Sequence, residues 1–402
     1  MYKKLNSGIT APVGFLASGI NCGIKKRNKD LALVYSTVPA VTAATFTTSQ
    51  VQAAPVILSR LQLEKTEYCR ALVINSGNAN ACTGNRGMKD AISMINNTAW
   101  VLDVYDHEVL VASTGVIGQF MPVEKILLGI KQAADGLSPE GHADAAEAIR
   151  TTDTFTKECA VQLKIQGKTV NIGGMAKGSG MIAPNMATML AFITSDIKIS
   201  PELLRYSLKK AVAKSFNRIS VDGDTSTNDM VVAMANGLAG NDEIFSIRDR
   251  DFRKFYNAFE FVLIQLSKMI VLDGEGATKF IEVQIDGALT EESALQAAKA
   301  VSNSNLVKTA IHGEDANWGR ILAAVGYSGI EFDPAKVEIF LGKLPILGRN
   351  YRIDFSEKEA KKILLNKEIK ITVDLNQGRN SVTFWTCDLT REYININANY
   401  RT

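Results

Sequence analysis

The stretch from Gly173 to Thr194 constrains the chain more than any other. It reads Gly-Gly-Met-Ala-Lys-Gly-Ser-Gly-Met-Ile-Ala-Pro-Asn-Met-Ala-Thr-Met-Leu-Ala-Phe-Ile-Thr. Four glycines (Gly173, Gly174, Gly178, Gly180) surround one charge, Lys177, and Pro184-Asn185 then leads into the apolar run from Met189 to Ile193. Glycines permit close backbone approach and Pro-Asn favours a turn, so the pattern predicts an irregular backbone feeding a buried strand whose first residue is Thr188. A threonine suits that place by its branched side chain alone. A plain connecting loop would also explain the glycines. The segment Gly178-Ser179-Gly180-Met181-Ile182-Ala183 matches a Gly-x-Gly-x-x-Ala dinucleotide loop, but that motif needs a helix opening at its glycines, where Pro184 and Asn185 stand instead. A Walker loop would need a Gly-Lys-Ser/Thr ending, which is absent. The sharper reading makes Thr188 a nucleophile, activated once the bond before it is cut and its own α-amine becomes the base. Such an amine titrates at about 7.7–8.0, and a threonine paired with its N-terminal amine is a workable nucleophile. No histidine is required.

That matters because the chain has three histidines, His107, His142 and His312, in unrelated contexts and at no metal-ligand spacing. No serine sits in a Gly-x-Ser-x-Gly elbow. The five cysteines are far apart, odd in number and without a Cys-x-x-Cys pair, which argues against a disulfide scaffold or a structural zinc site. At 402 residues, with 46% hydrophobic and 22% charged residues, the chain is long enough for two or three packed units. Its net charge of +3 is scattered, so no nucleic-acid or membrane partner is indicated, and the short basic turn Lys25-Lys26-Arg27 reads as a solvated loop. No apolar run approaches the roughly 18 residues of a membrane span, and the start has no signal-peptide pattern; a cytoplasmic enzyme is expected.

In chain order, the first 60 residues predict short strands and turns. A strand is expected from Tyr68 to Asn75, ending in Asn75-Ser76-Gly77-Asn78-Ala79-Asn80, and another from Glu108 to Ser113, ending in Ser113-Thr114-Gly115. A threonine hydroxyl and a glycine amide just past a strand end are a donor pair that can hold an oxyanion. Helices are expected over Pro122 to Ala134, stopped by Gly136, and over Ala143 to Ile149. The polar cluster Thr151-Thr152-Asp153-Thr154 leads to a hairpin, Ala160–Ile165 with Thr169–Ile172, turned at Gln166-Gly167-Lys168. Later come a helix from Ser200-Pro201, an oxygen-rich loop Asp222 to Asp229 that lacks EF-hand spacing, the longest helix at Asp251 to Leu272, and a helix from Glu291 to Val301. The last 70 residues alternate like antiparallel strands, at Val337 to Leu341, Ile369 to Asp374 and Ser381 to Thr386. Irregular alternation of helices and strands favours mixed α/β sheets with outer helices over a parallel barrel.

Taken together these motifs resemble the ornithine acetyltransferase family, the bifunctional glutamate N-acetyltransferase and amino-acid acetyltransferase of arginine biosynthesis. The resemblance runs end to end. It rests on Ser76 to Gly84, Ser113-Thr114-Gly115, Thr151 to Thr154, Gly174 to Gly178 with Ala187 to Leu190, Asp222 to Asp229, Asp273 to Lys279, Asn317 to Arg320, and Ile396 to Thr402.

The resemblance implies self-cleavage between Ala187 and Thr188, giving an α chain of residues 1–187 and a β chain of residues 188–402 that remain together, paired as α2β2. The freed Thr188 would accept acetyl from N-acetylornithine as an ester and pass it to glutamate, in ping-pong fashion. Thr114 and the amide of Gly115 would hold the oxyanion. Thr151, Lys177, Thr188, Glu275, Asn397 and Thr402 would bind substrate, Lys177 suiting an α-carboxylate and Glu275 an amine. No metal or cofactor is implied, and acetyl-CoA is left open as a second acetyl donor. The implied fold is the layered α/β/β/α sandwich of self-cleaving aminopeptidases of the DmpA type. An aminopeptidase or amidase on that scaffold, or an amino-acid-binding protein without turnover, are the rival readings.

Overall fold

A computed structural model of the chain describes residues 2–183 and 189–399. The protein divides into two compact units, one built from residues 1–181, 185–217 and 224–270, the other from residues 182–184, 218–223 and 271–402. Each unit thus draws on sequence from both sides of position 187.

The first unit contains β1 (Tyr2–Leu5), β2 (Phe15–Ile20), β3 (Leu31–Phe46), α1 (Ala54–Lys65), β4 (Tyr68–Asn78), α2 (Gly84–Leu102), β5 (Val109–Val116), α3 (Val123–Asp135) and α4 (His142–Ala148). It continues with β6 (Lys157–Ile165), β7 (Lys168–Lys177), β8 (Leu190–Ser195), α5 (Pro201–Lys214), β9 (Met230–Ala235) and α6 (Arg250–Leu272). Nine strands form one mixed sheet in the order β1-β6-β7-β8-β9-β3-β4-β5, with β2 on β3.

The sheet is bent by β3, sixteen residues long. Its first half pairs with β2 and β4; the register then shifts between Tyr35 and Ala40, around Pro39, and the second half pairs with β9. A proline cannot donate to a ladder, and an irregularity at its position turns the strand. The two halves of the sheet therefore face each other. Leu72, Ile74, Leu110 and Ala112 from one half share a core with Met175, Phe192, Val232 and Met234 from the other. The alternate residues Leu31, Leu33, Val73 and Val111 turn outward against Met94 and Ile95 of α2 and Ile126 and Ile130 of α3. On the opposite side a Cβ at Gly174 would meet Ile193 and, at 3.0 Å, Leu266 of α6. Helix, sheet, sheet, helix is the expected α/β/β/α layering.

The early segment holds the short strands β1 and β2, as expected, but β3 is long because it serves both halves. Gly173 and Gly174 lie inside β7 and not in an irregular loop. A Cβ at Gly173 would stand 2.1 Å from the carbonyl oxygen of Gly8, so the glycine is demanded by close packing. The hairpin turn follows expectation, with Gln166 and Gly167 at φ 48° and 78°, both positive as a two-residue hairpin needs. No uninterrupted apolar run is long enough for a membrane span, yet α6 meets that length and hydropathy as a helix; half of its apolar window is buried inside the protein, as for a core helix.

The second unit holds β10 (Phe280–Ala288), α7 (Glu291–Asn303), α8 (Asn305–His312), α9 (Trp318–Gly326), β11 (Glu338–Leu341), β12 (Leu344–Leu347), α10 (Glu357–Leu364), β13 (Glu368–Asp374), β14 (Asn380–Cys387) and α11 (Arg391–Ala398). Its five strands run β12-β11-β13-β10-β14. Ile281, Val283, Ile371, Val373 and Phe384 fill one face against the helices, while Glu282, Lys370 and Trp385 link across the other. That is the period of two expected of a sheet with one covered face. The expected antiparallel pairing holds for β11 with β13, whereas β13 and β14 do not pair with each other but flank β10, which is parallel to β13 and antiparallel to β14.

Candidate active site

In the first unit the expected donor pair lies within β5, which runs on to Val116, and not past a strand end at Ser113. Gly77 of β4 is the register partner of Gly115, whose φ is 132°, and a Cβ there would lie 2.3 Å from the Gly77 carbonyl carbon. The Gly77–Asn78 backbone occupies the place a side chain would take, so the position requires glycine. Gly115→Ala is expected to lower stability by at least about 1–3 kcal/mol, read by chemical denaturation, since it meets both forbidden dihedrals and a backbone clash.

Lys177 stands at the end of β7, paired with Leu190. Its Nζ donates to the hydroxyl of Thr114 at 3.3 Å, with both residues buried. An ammonium donating to that oxygen leaves the hydroxyl proton free and polarises it, which improves Thr114 as a donor in its turn.

Beneath this pair lies Asp153. Its carboxylate accepts from Lys157 Nζ and the Gly178 amide, each at 2.7 Å, and from the Thr151 amide at 2.9 Å. Burial opposes its ionisation, but the charges of Lys177 and Lys157 and the Gly178 amide outweigh that and hold the carboxyl far below the usual range. Asp153 is thus the hub that orders both Thr151 and the turn after Lys177. The sequence cluster named it, but the chemistry there pointed to its threonines; Lys157, fully buried, carried no signal at all. Thr152 donates to or accepts from Ser179 at 2.7 Å, whereas the Thr151 hydroxyl has no partner among the described residues.

The oxygen-rich loop also acquires a role. Asn228 donates to the carbonyls of Ala79 and Ser113 at 2.6 and 2.8 Å, bracing the chain just before Thr114. Asp229 accepts the amide of Met189 at 2.8 Å, fixing the residue after Thr188. Ala187 and Thr188 themselves lie outside the described residues, as does Thr402.

In the second unit, Glu275 and Asn397 are brought together: Asn397 Nδ2 donates to Glu275 Oε2 at 2.8 Å, although 122 positions separate them. Glu275 follows α6 in the turn Asp273 to Gly276, and Gly276, at φ 68°, lets the backbone of Tyr393 approach closely. Thr390 seals the turn by donating to the Gly276 carbonyl at 2.7 Å. Asn397 also donates to Tyr393 within α11, so it orients the carboxylate from a short helix and leaves one Glu275 oxygen for another donor. Among the described residues no group of three or more His, Cys, Asp or Glu side chains is placed to hold a metal.

The sequence profile of the ArgJ family matches residues 16–402. The arginine biosynthesis bifunctional protein ArgJ of Symbiobacterium thermophilum is 52% identical over 401 residues, covering 99% of both chains. The protein of the same name from Caldanaerobacter subterraneus subsp. tengcongensis is 52% identical over 402 residues, again covering 99% of both. Among solved structures, the ArgJ protein of Bacillus halodurans is 44% identical with a TM-score of 0.45, covering 46% of this chain and 98% of that one. With identity of this level along the whole length, the chain belongs to the ArgJ family.

Proposed function

We propose that this ArgJ-family enzyme transfers the acetyl group of N-acetylornithine to glutamate through an acetyl ester on Thr188, after cutting itself between Ala187 and Thr188. The observation that carries the reading is the buried contact of Lys177 with Thr114 beside Gly115. It supplies a polarised hydroxyl next to a cation, which is equipment that an oxyanion and an α-carboxylate need. Thr188 attacks the preceding carbonyl, water releases the chain ester, and the freed α-amine then serves as base. Thr114 and the Gly115 amide hold the tetrahedral oxyanion over the acetyl carbon. Lys177 pairs the α-carboxylate that ornithine and glutamate share, Thr151 adds a hydroxyl, and Glu275, oriented by Asn397, takes an amine. Thr402 completes the substrate set, the cleaved chains 1–187 and 188–402 assemble as α2β2, and acetyl-CoA is a candidate second donor; no bound cofactor is invoked.

The near-complete match to proteins named for arginine biosynthesis favours acetyl transfer over peptide hydrolysis. Lys177→Ala is expected to raise the Michaelis constants of N-acetylornithine and glutamate at least roughly tenfold, as loss of a charged hydrogen bond does. An assay of ornithine release with and without glutamate tests the reading directly: acetyl appearing on glutamate supports it, whereas acetate release that ignores glutamate points to a hydrolase.

A further inference from the structure

The basic triplet Lys25-Lys26-Arg27 between β2 and β3 is not uniformly solvated. Lys26 and Arg27 are exposed, but Lys25 is turned inward. Its loop is wound around the buried carboxylate of Asp30, which accepts the amides of Cys22 and Ile24 at 2.7 Å and of Lys25 at 2.8 Å. The Asp30 carbonyl in turn accepts the amide of Ser76, at the end of β4, at 2.8 Å. This winding lays the Lys25 side chain across Gly77: a Cβ there would lie 3.2 Å from Lys25 Cγ and 3.7 Å from Cε. Gly77 is the residue that Gly115 packs against. Beyond it, Lys25 Nζ donates to the carbonyl of Arg150 at 2.5 Å and that of Lys29 at 3.0 Å. Arg150 immediately precedes Thr151.

We propose that Lys25 is a positioning residue of the substrate site, its ammonium fastening the Arg150–Thr151 segment beside Gly77 and Gly115 so that carboxylated substrate is captured well. The inference rests on the acetyl-transfer reading and deepens it. The ammonium is faced by Asp30 from its own loop, by Arg150 and Asp153 from the segment it holds, and by Lys177 from β7. Burial lowers its pKa to about 8, with Lys177 and Arg150 pushing the same way and Asp30 and Asp153 opposing. A charged ammonium makes a stronger bond to a carbonyl than a neutral amine does. Capture is therefore strongest below that value and declines as pH rises through it. The α-amine of Thr188 works in the opposite sense, since it must be neutral to act as a base. The two groups set opposite limbs of the pH profile.

The test uses the processed enzyme, its Lys25→Met and Lys25→Arg variants, and acetyl transfer to glutamate followed from neutral to alkaline pH. Lys25→Met is expected to cleave itself as the parent does, to raise both Michaelis constants roughly tenfold, and to change kcat much less. Lys25→Arg is expected to restore capture near neutrality and to move the alkaline fall of kcat/KM upward, because a guanidinium keeps its charge. Unchanged Michaelis constants in Lys25→Met, or an unmoved alkaline limb in Lys25→Arg, would overturn the assignment. Should Lys25→Met not fold, the arginine variant decides alone. A parent without transfer activity counts against the acetyl-transfer reading instead, and glutamate binding by calorimetry with the same variants then decides the role of Lys25 by the same ratio.

Discussion

The Thr188→Ala variant is expected to remain one uncut chain and to transfer no acetyl group, whereas the parent separates under denaturing conditions into two chains, the second beginning Thr-Met-Leu. One substitution removes both the attacking hydroxyl of the cleavage step and the acyl carrier of the transfer step, and without cleavage the amine that serves as base is never freed. Loss of a covalent nucleophile costs several powers of ten in rate, so residual turnover near the parent level would exclude Thr188 as acyl carrier. Intact mass and N-terminal sequencing read the first half, and the glutamate assay reads the second. The surrounding fold is expected to survive, because the neighbouring residue Met189 is held by its own amide on Asp229 and by the sheet from Leu190 onward. Two chains from the Thr188→Ala variant would sink the self-cleavage mechanism outright.

Asp153→Ala is expected to have the largest effect on stability. The Asp153–Lys157 pair is wholly buried, with neither side chain exposed, and removing one partner of such a pair leaves an uncompensated charge at about 3–5 kcal/mol. Here the cost falls at the upper end, because Lys177 is a second nearby cation and the amides of Thr151 and Gly178 lose their acceptor. Denaturant titration of the variant beside the parent measures it; a difference within 1 kcal/mol, on the order of a surface substitution, would show that the hub is not structural. The pH dependence has a definite sign. The folded carboxyl is held below its unfolded value of about 3.9, so its contribution is fully present above that value and is lost as pH falls toward the folded one. The parent therefore loses stability in acid, and Asp153→Ala lacks that part of the loss.

The regular elements were legible where a local signal existed. Pro201 after Ser200 opened a helix and Ser200 caps it, accepting the amide of Leu203; Gly136 ended another; Gln166-Gly167 turned a hairpin. The length of β3 was not legible, since its bend at Pro39 looks locally like a break between short strands. Helices α1 and α2 escaped as well, α1 because its start, Ala53 followed by Ala54 and Pro55, has no side-chain cap and its apolar face is weak. Thr114, Gly115, Thr151 and Lys177 could be nominated by residue type at strand ends and glycine turns, together with the family resemblance. Their bracing could not: Asn228 and Lys25 act through partners remote in sequence, and the Asp153–Lys157 pair, though only four residues apart, takes its role from its burial and from the Gly178 amide 25 positions away.

By itself, the sequence determined the family, the strand and helix periodicities, and the one threonine placed between a glycine-rich turn and an apolar strand. These are local or linear properties, carried by spacing and by the conformational range of glycine and proline. Only the tertiary structure decided that one long strand folds the sheet onto itself, that Lys177 meets Thr114 across 63 positions, that Asn397 meets Glu275 across 122, and that Lys25 is drawn inward while Lys26 and Arg27 stay in water. Burial is the reason: a charge taken out of water must find partners wherever the fold supplies them, and those partners leave no pattern in the neighbouring residues.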